Sequence, residues 1–298
     1  MTFSSSVKEE LCKASISQPC CARAQAYGIL LYANTFTAQE IKIMTASTDF
    51  AALLPRLFKK AFSLEFDILP DVSRGGKHIF IINSKEKIRQ IFNCFGYDAG
   101  STLSHHINLG VLEEDCCKAA FTRGAFLAGG SITNPEKRYH LETVTDHMHV
   151  SKELFSMLLE MDFSPKQTMR GSNYVTYFKQ SEAIEDFLTT IGAPNSAMAH
   201  MEAKVEKDMR NEINRKVNCD TANADKIVSA AQTQLETIRN LDRLYGLDNL
   251  PEDLQQIAFL RIANPEASLA DLAALSYPPI SKSSVNNRLK KLLKYKED

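Results

Sequence analysis

Three groups of side chains in this 298-residue chain have types and spacings that could do chemistry. Two cysteine doublets, Cys20-Cys21 and Cys116-Cys117, hold four of its seven cysteines. Four thiolates suit one tetrahedral zinc ion, but adjacent residues rarely both serve such a site, and each doublet stands just before an apolar run with helical spacing. The doublets are therefore expected to pack as small apolar side chains, and no metal ligand is expected in the chain. His105, His106, His140, His147 and His149 lack a cysteine or carboxylate at a recognisable metal spacing and read as surface residues. The third group is basic and polar. From Ser281 the chain runs SKSSVNNRLKKLLKYK, with Lys282, Arg288, Lys290, Lys291, Lys294 and Lys296 within fifteen residues.

Displaying that third group requires a helix. Ser281 is a suitable N-cap, and Val285, Leu289 and Leu292-Leu293 form an apolar stripe along the segment. The outward set is then Lys282, Ser283, Ser284, Asn286, Asn287, Arg288 and Lys291. Lysine and arginine hold phosphates, while asparagine and arginine can also read base edges. Arg288 is the candidate for guanine and Asn286 or Asn287 for adenine; Lys290, Lys291 and Lys294 are candidates for phosphate. Upstream, Ile227 to Leu241 is spaced as a helix that stops at Gly246, and Leu250 to Ala263 as a second. Ser268 and Asp271 form a capping box on a short third helix, followed by the turn Tyr277-Pro278-Pro279-Ile280. Two short helices, a tight turn and a basic final helix are the layout of a helix-turn-helix, so double-stranded DNA is the expected partner.

The first two thirds of the chain are duplicated. Gly28 and Gly124 stand 96 positions apart, and the same offset relates Gly75 to Gly171, Gly96 to Gly192 and one cysteine doublet to the other. It also aligns the stretch from His78 with that from Tyr174. Each copy reads as helix, strand pair, helix, strand pair, helix, with hairpin turns at Arg74 to Lys77 and at Arg170 to Asn173. Ser151 is the expected N-cap of the middle helix of the second copy. Small residues on the helices Ala24 to Thr35 and Phe121 to Ile132 predict that these two pack closely against each other. Gly192 to Ala197 has the composition of a linker.

The phrase RGAFLAGGS resembles the LAGLIDADG helix of homing endonucleases. With NPEKRYHLE and the duplication, the chain is most similar to the WhiA family of bacterial transcriptional regulators. That resemblance implies an α+β fold: a degenerate, duplicated LAGLIDADG-like domain at 1–195 (copies at about 1–97 and 98–195), a polar helical linker at 196–222 and an all-α helix-turn-helix domain at 223–298. LAGLIDADG nucleases hold divalent metal on an acid at the base of each paired helix. Those positions are Leu31, Ala33, Leu127 and Gly129 here, so no catalytic residue and no nuclease activity is expected; residual cleavage or RNA processing is the alternative. The family's asparagine-rich signature falls on Arg210, Asn211, Asn214, Arg215 and Asn218, which makes them candidate linker contacts. The family phrase SKSGVNHRL reads SKSSVNNRL, with Ser284 and Asn287 in place of glycine and histidine. The resemblance further implies roles in cell division, chromosome segregation and, in spore formers, sporulation. The LAGLIDADG-like sheets would be either a second DNA surface or a platform for a protein partner.

Composition sets bounds on this reading. Hydrophobic residues make up 44% and charged residues 24%, as in a globular protein, and the net charge of −1 confines any nucleic-acid surface to local clusters. MTFSSSVKEELCK lacks the pattern of a signal peptide, and no apolar run approaches the roughly 20 residues of a membrane span. Reduced thiols and a cytoplasmic, nucleoid-associated protein are expected. No P-loop, dinucleotide-binding glycine motif or GxSxG occurs, so no cofactor is expected.

Overall fold

The computed structural model describes residues 2–16, 18–70, 76–98 and 105–295. The chain divides into two compact units, Met1–Asp208 and Met209–Asp298.

The first unit is built twice around a pair of buried helices. It opens with α1 (Phe3–Lys13), capped by Thr2, whose side chain accepts from the Ser5 amide. The first copy continues with α2 (Pro19–Leu31), β1 (Thr35–Phe36), β2 (Ile41–Thr45), α3 (Thr48–Phe62), β3 (His78–Ile82) and α4 (Lys85–Cys94). The second has α5 (Asp115–Gly129), β4 (Gly130–Ile132), β5 (Leu141–Thr145), α6 (Met148–Glu160), β6 (Lys166–Arg170), β7 (Asn173–Phe178) and α7 (Ser181–Ile191). The strands make two antiparallel sheets, ordered β1-β2-β3 and β4-β5-β7-β6.

The duplication runs at two offsets. The paired helices, the closing strands (His78 and Tyr174) and the closing helices keep 96 positions, but 100 separate Ile41 of β2 from Leu141 of β5. The extra four residues lie in the loop that carries Asn134 to His140. The second hairpin turns at Arg170 to Asn173 as expected, with Gly171 at φ +63°. Among the described residues its counterpart in the first copy makes one bridge, between Ile68 and Ile81; the turn residues Arg74 and Gly75 lie outside the described residues. Ser151 is not an N-cap. It sits inside α6, buried, where its hydroxyl and carbonyl both accept from the Gln167 amide group of β6. The cap residue of that helix is His147, which makes no side-chain cap bond.

Helices α2 and α5 are apolar nearly all round, because they form the centre of one core that both copies share. Their approach is two-fold symmetric to the residue. A Cβ on Gly28 would fall 2.1 Å from the Phe121 carbonyl oxygen, and one on Gly124 would fall 2.1 Å from that of Gln25. Gln25 and Phe121 are themselves 96 positions apart. No side chain fits at either glycine, so the two backbones touch there.

Gly192 closes α7 in the left-handed conformation, and Pro194 opens α8 (Pro194–Tyr245) two residues later. The segment with linker composition is thus a helix stop followed at once by a helix start. Glu10 of α1 caps the new helix, accepting from the Asn195 and Ser196 amides at 2.8 Å each. One continuous helix runs through both expected domain limits, at 195/196 and 222/223. The unit division at Asp208 lies between them.

The second unit continues α8 from Met209 and adds α9 (Glu252–Ala263), α10 (Leu269–Leu275) and α11 (Lys282–Leu293). Ile238, Leu241, Leu254, Ile257, Leu272, Val285, Leu289 and Leu292 meet in its core. Among the described residues no helix is long and apolar enough to cross a membrane.

Candidate nucleic-acid interface

Helix α11 begins as the sequence predicts. The Ser281 hydroxyl accepts from the Ser284 amide at 3.2 Å, and α10 carries the full Ser268–Asp271 capping box. Each cap satisfies orphan amides and fixes where its helix starts. Val285, Leu289 and Leu292 are buried, so at 3.6 residues per turn Ser283, Asn287, Lys290 and Lys294 occupy the opposite face, and all four are exposed. Lys282 and Lys291 are exposed as well, and Ser284 is half-buried. Leu293, expected in the apolar stripe, is 40% exposed instead, because it lies a quarter-turn round from Leu292. Lys296 lies outside the described residues.

Two residues assigned to the outward set stand on its flanks. Asn286 is half-buried and faces Lys226 and Gln234 of α8 across a small cavity. Arg288 is half-buried and donates from Nη1 to Oε1 of Gln256 on α9 at 3.3 Å. Gln256 also donates from Nε2 to the Tyr277 carbonyl at 2.5 Å, so one side chain ties both the turn and α11 to α9. Nothing in the sequence marked Gln256; the phase of Val285, Leu289 and Leu292 does place Arg288 beside α9. Lys290, Lys291 and Lys294 line a surface groove with Pro251, Asp253 and Tyr295 at the start of α9. Three ammonium groups thus line one groove and suit a phosphate, although the Asp253 carboxylate of the acidic first turn of α9 lines it too. Arg210, Asn211, Asn214, Arg215 and Asn218 are all exposed on α8. Met209, Ile213 and Val217 are exposed on the adjoining stripe of the same helix, beside Arg210.

In the first unit, the positions where a LAGLIDADG nuclease carries acids are filled or blocked. Leu31 and Leu127 are buried. A Cβ on Gly129 would fall 2.5 Å from Tyr32 Cδ1 and 2.6 Å from the Val144 carbonyl oxygen. Lys8 reaches the same end of α5, with Nζ 3.0 Å from the Leu127 carbonyl oxygen. A cation is favoured there by the helix dipole, although burial lowers the Lys8 pKa from its ordinary value. On the sheet, Arg170 of β6 makes a two-pronged bond to Glu142 of β5, at 3.1 and 2.7 Å. His140 bonds the same carboxylate at 2.9 Å. These partners, Arg170 first, hold the Glu142 carboxyl below its ordinary pKa.

The histidines are not all on the surface. His105 is buried against the His147 ring, 4.3 Å between centroids, and that burial, with His147 beside it, lowers its pKa. Ser181, Glu185 and His200 form a hydrogen-bonded set around the Glu185 carboxylate that could suggest nucleophilic chemistry. All three are buried, so no substrate reaches them. The cysteines depart furthest from expectation. The Sγ atoms of Cys20, Cys21, Cys116 and Cys117 all lie within 4.8 Å of one another. Among the described residues this is the one group of histidine, cysteine and acidic side chains placed to hold a metal ion. Burial pushes the Cys21 thiol up to about 11 and the Cys117 thiol up to about 12.

Comparison with known proteins agrees with this anatomy. Residues 118–210 match the family described as the WhiA LAGLIDADG-like domain, and residues 213–296 match the WhiA C-terminal HTH domain. The chain is 36% identical to "Probable cell division protein WhiA" of Ruminiclostridium cellulolyticum, over 98% of this chain and 96% of that one. It is 35% identical to the protein of the same name in Natranaerobius thermophilus, over 100% and 95%. Among solved structures, the full-length WhiA of Thermotoga maritima aligns with a TM-score of 0.59 at 24% identity, covering 99% of this chain and 97% of that one, a likeness of fold.

Proposed function

The chain belongs to the WhiA family, and from that premise we propose that it is a DNA-binding regulator that reads duplex sequence with α11 and catalyses no reaction. The observation that carries this reading is the outward face of α11: Ser283, Asn287, Lys290 and Lys294 exposed together on a capped, core-anchored helix. Early residues of such a helix enter the major groove, and its later lysines meet the backbone. Asn287, with Ser283 and Ser284, reads base edges; an asparagine can pair with adenine through two hydrogen bonds. Lys290, Lys291 and Lys294 hold phosphate. Arg288 acts as a positioning residue through Gln256. The exposed Arg210, Asn211, Asn214, Arg215 and Asn218 form a second polar strip for the same ligand.

The absence of catalysis rests on side chains. Metal-assisted hydrolysis of a phosphodiester needs carboxylate oxygens, and the equivalent positions hold leucine, alanine and a glycine with no room for more. The cell division named for the curated relatives is the process we carry over to this chain. Transcriptional control, chromosome segregation and sporulation follow the family resemblance, with the nucleoid as the site of action. The test is titration of labelled duplexes across a salt series, with genome-wide crosslinking to find the sites. Intact affinity and specificity after deletion of Ser281 to Asp298 would move DNA binding to the LAGLIDADG-like unit.

A further inference from the structure

We propose that Cys20, Cys21, Cys116 and Cys117 are a four-thiolate site for one zinc ion, which clips together the N-terminal ends of the two core helices. Four sulfurs within 4.8 Å of one another surround a single point. Tetrahedral zinc at about 2.3 Å from each sulfur sets the sulfurs about 3.8 Å apart, so a contraction of about 1 Å completes the site. Sulfurs this close leave no room between them for an iron–sulfur cluster.

The fold explains how adjacent cysteines can share an ion. Each doublet occupies the second and third residues of its helix, Pro19–Leu31 or Asp115–Gly129. In a first turn, side chains can reach past the helix end, and the ion sits off that end instead of beside the helix. The glycine-mediated contact of α2 with α5 brings the two ends side by side, so each copy supplies two ligands related by the same two-fold. The electrostatics suit the complex. Four thiolates and one divalent cation carry a net charge of −2, which faces the positive dipole ends of two helices. Arg123, half-buried nearly two turns further along α5, donates from Nε to the Ile191 carbonyl, and its burial lowers its pKa. Cys20 and Cys116 are exposed, which gives the ion a way in, while Cys117 is buried. With four protein ligands the coordination is closed, as in structural zinc sites, so the ion holds the copies together and does no chemistry. Binding replaces the thiol protons, four at most per ion, and involves no oxidant.

The test uses the full chain, purified under reducing conditions, with zinc measured by elemental analysis. We expect about one zinc per chain. After chelation, added cobalt should give the visible bands of a tetrahedral centre and a thiolate-to-cobalt charge-transfer band. Cys20→Ser and Cys116→Ser, both at exposed positions, should lose the metal and the charge-transfer band while far-ultraviolet circular dichroism shows the chain still folded. Cys94→Ser and Cys219→Ser, exposed elsewhere, should keep both. Chelation should lower the melting temperature of the wild type and zinc should restore it. Folded, reduced protein that takes up neither zinc nor cobalt would overturn the proposal. So would metal retained in the double variant Cys20→Ser/Cys116→Ser, or mass spectra showing that the native protein carries these cysteines as disulfides between the copies.

Discussion

Arg288 of α11 donates its Nη1 proton to Oε1 of Gln256 on α9, so the one arginine in the first two turns of α11 is bound to its own domain. This separates three kinds of substitution. Asn287→Ala should cost about 1–3 kcal/mol on the specific site and narrow its advantage over random DNA. Lys291→Ala should weaken all DNA alike and reduce the salt slope by about one. Arg288→Ala and Gln256→Ala both remove the tie between α11 and α9, and Gln256→Ala also frees the Tyr277 carbonyl of the turn, so its effect should be at least as large. If Arg288→Ala lowers specificity where Gln256→Ala does not, the guanidinium reads a base directly. Duplex titrations at several salt concentrations distinguish these patterns.

No metal-dependent nicking of DNA is expected from carefully purified protein with magnesium or manganese. Lys8 places a cation at the Leu127 carbonyl, and buried Leu31 and Leu127 offer no oxygen ligand from their side chains. Nicking that disappears on mutation of α2 or α5 would show that other groups hold the metal.

Gly124→Leu should destabilise the first unit by roughly 1–3 kcal/mol or more, because its Cβ alone would overlap the Gln25 carbonyl oxygen. Gly28→Ala should act in the same direction through the Phe121 carbonyl oxygen. Urea melts of the full chain measure both, and an unchanged midpoint would mean that the helices can separate there at no cost.

Glu142→Gln should change how stability depends on pH. The folded carboxyl is held below its ordinary value by Arg170, then by His140. Its contribution is therefore complete above the unfolded value of about 4.3 and is lost as the pH falls through the folded one. The wild type should be the more stable at pH 7, and its margin over the variant should shrink towards acid pH. A margin that does not vary with pH would show that the carboxylate charge contributes nothing.

Much of this was legible before any coordinates. The repeat of 96 positions, with glycine recurring at its centre, predicts which two helices touch, and the structure places Gly28 and Gly124 at their contact. The caps at Ser268 and Ser281 follow from local hydrogen-bond chemistry, which does not depend on tertiary context. What was missed depends on distance in space. Taken singly, each doublet reads as small apolar packing; only the pairing of the helices brings four sulfurs together. Ser151 looks like a cap but is recruited by Gln167 and Thr176 of neighbouring strands. Gly192 and Pro194 signal a break in the chain, and the same two residues serve as a stop and a start for consecutive helices.

The crowding around Gly129 acts as a ratchet. Restoring an aspartate there would drive its Cβ into the Tyr32 ring and the Val144 carbonyl, and an aspartate at position 127 would have to ionise in the core. No single codon change regains a metal ligand at either place without first loosening the packing between α5, Tyr32 and β5. At these two positions the scaffold is thereby free to vary its surface without a chance substitution rebuilding a metal site.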